Sequence, residues 1–216
     1  MVITYHSLTC FKIQSGDITL VFDLPASPKT ASRGEPSKKS SAKIPRFHAD
    51  IIVQSQGYDG EIPAESFLIN GPGEYEVKGV YIHGLKSFHD SNYGKKYGLN
   101  TVYVCRLENI NLCFLGELGE KELRPELKEE IGKIDILFVP IGGDSVLDAE
   151  GARNVINQIE PAISIPMHYS LSGRTDALKD FLHEMGQKDV KAIEKLSIKK
   201  KDIAENGTHV VVLSPL

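Results

Sequence analysis

The feature that most restricts how this chain can fold is a change of pattern at Gly119. Before it, short apolar runs follow one another with only turn residues between them; after it, apolar runs alternate with amphipathic charged segments. Strands separated by turns build meandering sheets, whereas strand–helix alternation builds parallel strands with helices on the outside. One chain carrying both patterns in succession points to two packed sheets with helices flanking them.

In the first half, period and turn chemistry predict strands at Val2–Tyr5, Cys10–Gln14 and Ile18–Phe22, the last two joined by Ser15-Gly16-Asp17. Further strands are expected at Asp50–Gln54, Ser66–Asn70, Tyr75–Lys78 and Val80–His83, with Gly71-Pro-Gly73 forcing a sharp reversal. His89 to Asn100 has the composition of a long loop, and Thr101–Leu107 with Ile110–Leu115 reads as a hairpin around Glu108-Asn109. In the second half, helices are expected around Pro125–Ile131, Asp148–Ile159 and Asp176–Met185, the last with Thr175 as N-cap and Gly186 beyond its end. Ala152, Val155, Ile156 and Ile159 recur at the spacing of one buried helix face. Strands are expected at Ile134–Val139, Ala162–Pro166, Ala192–Ile198 and His209–Leu213.

A length of 216 residues suits a single domain spanning 1–216. Within it, 24–47 reads as a mobile polar loop, because Lys, Arg, Ser and Pro alternate there with almost no apolar residue to repay the entropy of ordering. A phosphate-binding patch is the other reading of that basic run. The N-terminus has no basic region followed by an apolar stretch, and no segment is apolar enough to span a bilayer, so a cytoplasmic protein without membrane attachment is expected. Cys10, Cys105 and Cys113 lie singly in apolar runs and are expected to be buried free thiols. A net charge of −4 argues against nucleic acid as a partner, and no glycine-rich loop has nucleotide-binding spacing.

Polar residues able to do chemistry collect where strands end: Asp59, His89, Glu117 and His168. Each has a plain structural role open to it, as turn former, loop-start cap, turn charge and hydrogen-bonded interior imidazole respectively. Together they are the mixed carboxylate and imidazole set from which hydrolytic metal sites are assembled.

Several phrases then carry a family resemblance over nearly the whole chain. They are Ile3-Thr-Tyr5 with Cys10-Phe-Lys-Ile13, Gly71-Pro-Gly-Glu-Tyr-Glu-Val-Lys-Gly-Val80, Ser87-Phe-His-Asp90, Leu115-Gly-Glu-Leu-Gly119, Asp135-Ile-Leu-Phe-Val-Pro-Ile-Gly-Gly143 and Glu160-Pro-Ala-Ile-Ser-Ile-Pro-Met-His-Tyr169. The sequence resembles the Zn-dependent hydrolases of the metallo-β-lactamase fold, in particular the branch that includes sugar-lactone lactonases. The resemblance implies an α/β (α+β) fold, a four-layer αβ/βα sandwich of two mixed sheets flanked by helices, with the site at the rim between the sheets.

The family's Thr/Ser-His-x-His-x-Asp-His signature falls on Ser55-Gln-Gly-Tyr-Asp-Gly60, one residue short. Gln56 stands for the first histidine, the second has no counterpart, Asp59 is retained and Gly60 stands for the third. His89 and His168 match later ligands, and Glu117 takes the place of the bridging aspartate. Upstream, Ser7-Leu-Thr-Cys10 replaces a Gly-His-Ser-Cys phrase, leaving His6 as an imidazole that a shifted register could bring to the site. The resemblance therefore implies that one of two metal positions is empty. Asp59, Glu117 and His168 remain to hold at most one weakly bound divalent metal (Zn, Mn or Fe). The expected function is a pseudoenzyme or binding module for an unknown small-molecule ligand. The alternative is a residual metal-dependent hydrolase of a small lactone, ester or phosphoester, with Asp59 and His89 as its catalytic groups and His89 as acid or base. The family's tendency to associate makes a homo-oligomer possible.

Overall fold

A computed structural model describes residues 1–25, 48–58, 60–169, 176–187, 189–203 and 207–216. The strands are β1 Val2–Ser7, β2 Cys10–Ser15, β3 Ile18–Phe22, β4 Ile51–Val53, β5 Phe67–Ile69, β6 Gly73–Val77, β7 Val80–Phe88, β8 Leu99–Leu107 and β9 Ile110–Phe114. Then come α1 Pro125–Ile131, β10 Ile136–Pro140, α2 Ala149–Ile159, β11 Ile163–Met167, α3 Ala177–Glu184, β12 Lys195–Ser197 and β13 His209–Val210, with a short 3-10 turn at Lys200–Asp202.

They form two mixed sheets. The first has the order β12-β1-β2-β3-β4-β5, and the second β13-β11-β10-β9-β8-β7-β6. In the second sheet the change of pattern at Gly119 becomes a change of strand direction. Strands β6 to β9 form an antiparallel meander, and β10, β11 and β13 add in parallel beside β9. Two-residue turns join β6 to β7 and β8 to β9, and residues 89–98 join β7 to β8. Glu108 and Asn109 both take positive φ, 49° and 61°, in the turn that pairs Leu107 with Ile110. That backbone matches the right-handed twist of the strands it joins.

The sheets face each other across a core held by an aromatic column. Phe22 of β3 stacks on Phe114 of β9 with centroids 4.4 Å apart, and Phe11 of β2 meets Phe138 of β10 edge-on at 4.8 Å. All four are fully buried. Each ring contributes area burial plus about 0.5–1.5 kcal/mol from the pairing geometry. On the outer face of the second sheet, Leu127 and Ile131 of α1, Ala152, Val155, Ile156 and Ile159 of α2, and Phe181 and Leu182 of α3 close a second core. Asp148 caps α2 by accepting the Gly151 N–H, as a carboxylate N-cap should. A third, smaller apolar cluster of Cys10, Val21, Leu24, Ala49 and Ile52 lies on the other side of the first sheet.

Several expected boundaries move. The strand expected to end at His83 continues to Phe88 and β8 begins at Leu99, so the loop between them is shorter than its composition suggests. Cross-strand pairing from Tyr81↔Arg106 to Phe88↔Leu99 draws polar residues into the ladder that their own propensities would leave out. The two C-terminal strands shrink to three and two residues, and an isolated Ile193↔Leu213 bridge forms outside them. Helix α3 starts after Asp176, which makes no side-chain cap. Thr175 and residues 26–47 of the expected polar loop lie outside the described residues. Among the described residues, no helix is long and apolar enough to cross a membrane.

Candidate functional site

Strands β3, β4, β7, β9 and β11 all end at one rim, and the residues that follow them converge. This is where strand ends present loop side chains to a ligand. After β4, Gln54 is tied by its backbone N–H to Ile69 O and by its side-chain amide to Leu24 O. Ser55 donates its N–H and its hydroxyl to the two oxygens of Asp23, both at 2.7 Å, while its carbonyl accepts from Thr101. That anchorage delivers Gln56 inward.

After β9, Gly116 turns the chain with φ of 59°, and a Cβ there would run into the Ser55 side chain, so only glycine lets the two rim segments touch. Glu117 N then donates to Asn100 Oδ1 at 2.9 Å. Asn100 is itself fixed, donating to Ser87 Oγ and Leu115 O. After β11, His168 adopts φ of 61°, donates its N–H to Leu8 O and packs directly on Gly142. After β7, His89 N donates to Gly98 O.

The side chains meet around Glu117. Gln56 Nε2 lies 2.5 Å from His89 Nδ1 and 2.9 Å from Glu117 Oε2. His89 Nε2 is 3.3 Å from Glu117 Oε2, and His168 Nε2 is 3.7 Å from Glu117 Oε1. An ionised carboxylate only accepts hydrogen bonds, so the group Gln56 turns toward Glu117 is its NH₂. The same NH₂ donates to His89 Nδ1. That makes Nδ1 the acceptor and puts the imidazole proton on Nε2, which is buried without a hydrogen-bond partner, as is His168 Nδ1.

The protonation states agree with this reading. For Glu117, burial pushes the carboxyl up, but hydrogen bonding to His168 and the charge of both imidazoles outweigh it and hold the group below its ordinary range. Burial keeps His89 below the ordinary histidine value although Glu117 pulls the other way. Glu117 is therefore ionised and His89 neutral near pH 7.

Beside the cluster lies a pocket of 260 Å³ whose walls include Ser7, Thr9, Asp23, Ser55, Gln56 and Glu117. Asp23 sits at φ of 45° directly after β3. Burial raises its carboxyl to about 7, hydrogen bonds from Ser55 and Thr9 hold it down in part, and Glu117 pushes it further up. Nothing local marks Asp23 as a site residue. Its only signal in the sequence is a polar residue closing an apolar strand, and that of Asn100 is a polar residue opening one.

Of the expected residues, Gln56, His89, Glu117 and His168 are brought together. Asp59 lies outside the described residues. Gly60 packs beneath the Tyr58 ring. His6 stands on β1 beside Thr4 and Lys12, where burial and then the lysine charge lower its pKa. Cys10, Cys105 and Cys113 are free and buried, as expected.

Among the described residues, no three or more His, Cys, Asp or Glu side chains are grouped so as to hold a metal ion. The lone pairs that His89 Nδ1 and Glu117 Oε2 would offer are engaged by the Gln56 amide, a donor with no lone pair to give on that nitrogen. The described donor set does not fit a two-metal centre.

Comparison with known proteins places this geometry in context. Residues 2–168 match the family described as the β-lactamase superfamily domain. A UPF0173 metal-dependent hydrolase of Thermoplasma acidophilum is 32% identical over 139 residues, covering 62% of this chain and 57% of that protein, so the chain spans little more than half of that relative's length. A UPF0173 metal-dependent hydrolase of Listeria welshimeri is 25% identical over 206 residues, covering 79% of this chain and 86% of the relative. The structure of a candidate Zn-dependent hydrolase of the metallo-β-lactamase superfamily from Thermotoga maritima is 28% identical, covers 99% of both chains and superposes with a TM-score of 0.75.

Proposed function

The chain belongs to the β-lactamase superfamily, and from that premise we propose that it is a diverged member whose two-metal hydrolase centre is largely lost and whose rim binds a small molecule. The observation that carries this reading is the Gln56 amide, which bridges His89 and Glu117 in a chain whose relatives are described as metal-dependent hydrolases. An amide NH₂ satisfies both acceptors without a cation. The 260 Å³ pocket beside it supports a ligand of small-molecule size.

Elemental analysis of protein purified without chelator, followed by calorimetric titration with Zn and Mn, tests the proposal. The expected result is far less than one equivalent of metal, unchanged in His168→Ala. About one equivalent that disappears in His168→Ala would sink it.

The second reading is a residual single-metal hydrolase in which Asp59, Glu117 and His168 hold the ion, with His89 as acid or base. What favours it is protonation: Glu117 is held ionised, the form a metal ligand must take, and His89 neutral, the form a general base must take. A bound metal would supply Lewis acidity there, and the residues of this chain would orient the substrate against Glu117. Turnover of a lactone, ester or phosphodiester panel that is abolished by chelation and restored by metal would establish this second reading.

A further inference from the structure

The turn after β7 is folded around one carboxylate. Asp90 Oδ1 accepts the N–H groups of Asn92 at 2.8 Å and Gly94 at 3.1 Å, while Oδ2 accepts those of Lys96 at 3.0 Å and Tyr97 at 2.9 Å. A carboxylate has about four acceptor sites. All of them are therefore used by the backbone of the seven residues that follow.

The turn closes back on the candidate site. Gly98 N donates to Gly94 O at 2.9 Å, and Gly98 O accepts from His89 N at 3.2 Å. This brings the Tyr97 ring to 5.2 Å from the His89 ring, tilted by 40°. The outer side of Tyr97 carries Lys96 Nζ, 4.6 Å from its centroid, and the tyrosine stays 40% exposed. Behind His89 the backbone at Gly119 approaches so closely that a Cβ would come 2.5 Å from His89 O. The Gly119 segment thus fixes the backbone of His89, while the imidazole itself is met by Gln56 at Nδ1 and by Tyr97 across its ring.

Gln56 and the Gly119 segment come from other strands and hold their places without Asp90. Tyr97 is carried to His89 by the turn that Asp90 organises.

We propose that Asp90 is a positioning residue of the rim site: its carboxylate templates the 91–97 turn that lays Tyr97 against His89 and so sets the orientation of that imidazole toward Gln56 and Glu117. This inference is independent of whether the site holds a metal, because it concerns a backbone template and a ring contact, neither of which is a donor to an ion.

The test compares wild type, Asp90→Ala, Asp90→Asn, Tyr97→Ala and the Asp90→Ala/Tyr97→Ala double variant, all treated with chelator so that metal binding cannot affect the readout. The imidazole proton, carbon and nitrogen NMR signals of His89 report both the ring current of Tyr97 and the tautomer. Asp90→Ala and Tyr97→Ala are expected to displace the His89 signals in the same direction, and the double variant to move them no further. Asp90→Asn keeps one acceptor oxygen and turns an NH₂ toward the other pair of N–H groups. Its displacement should be intermediate, with amide exchange of at least one pair, Asn92 and Gly94 or Lys96 and Tyr97, accelerated at least about tenfold.

Unchanged His89 signals in Asp90→Ala, alongside displaced ones in Tyr97→Ala, would overturn the proposal. So would a double variant whose displacement is the sum of the two. If Asp90→Ala fails to fold, Asp90→Asn decides: accelerated exchange in the turn with unmoved His89 signals reduces Asp90 to a structural turn residue and refutes the positioning role.

Discussion

Asp23→Asn gives a sharp test of the rim's electrostatics. Asp23 accepts two 2.7 Å bonds from Ser55 and faces Glu117, and its carboxyl is raised from 3.8 to about 7, with burial as the largest cause. The unfolded chain ionises this group above about pH 4, whereas the folded protein keeps the proton until about pH 7. Between those values the native state binds more protons, so stability falls as pH rises. A difference of roughly three pH units at about 1.4 kcal/mol each puts a penalty on the order of 4 kcal/mol on the native state above about pH 8. At about pH 5 only about 2 kcal/mol of it has developed, because the penalty grows by about 1.4 kcal/mol per pH unit from about pH 4, where the unfolded chain ionises, to about pH 7, where the folded protein does.

Asparagine cannot ionise and escapes the penalty altogether. It still offers Oδ1 to the Ser55 N–H, and the Ser55 hydroxyl can rotate to accept from the new NH₂; any pH-independent cost of that exchange cancels when two pH values are compared. Relative to wild type, Asp23→Asn should therefore gain about 2–3 kcal/mol on going from about pH 5 to about pH 8.5. Urea unfolding of both proteins at the two pH values, with slopes checked for equality, measures this double difference. A value below about 1 kcal/mol would refute the reasoning, since it would mean that the buried carboxyl is ionised in the folded protein and neutralised by a charge at the site.

Two further outcomes follow from the same rim and core. Asn100→Ala removes the acceptor of Glu117 N and the donor to Leu115 O, leaving buried backbone groups unpaired; it should cost about 2–3 kcal/mol in urea unfolding and displace the NMR signals of the Glu117 segment. Burial pushes the thiols of Cys10, Cys105 and Cys113 far above their ordinary value; none should react with an aromatic disulfide reagent in the native protein at about pH 8, and all three should react in denaturant, as followed by absorbance.

Much of the architecture can be read along the chain because it is local. Apolar periodicity located the strands of both sheets and the buried face of α2, and turn residues such as Glu108-Asn109 located the hairpins, since both depend on neighbours a few positions away. The family phrases likewise named Gln56, His89, Glu117 and His168 as rim residues. They could not say what Gln56 does there. Its contact with Glu117 joins residues 61 positions apart, and it exists only because β4 and β9 end side by side on opposing sheets. Asp23 and Asn100 stayed hidden for the same reason: one is defined by Ser55, 32 positions on, and the other by the amide of Glu117, 17 positions on. Asp90 is the instructive middle case. Its four partners lie within seven residues, yet its importance to His89 appears only once Gly98 returns to the start of the turn. The sequence by itself determined which segments become strands and helices and which side chains stand at their ends. Only the tertiary structure decided which of those side chains meet, what each donates or accepts and how far its charge is shifted, because hydrogen-bond geometry and desolvation belong to the packed assembly and not to any stretch of chain.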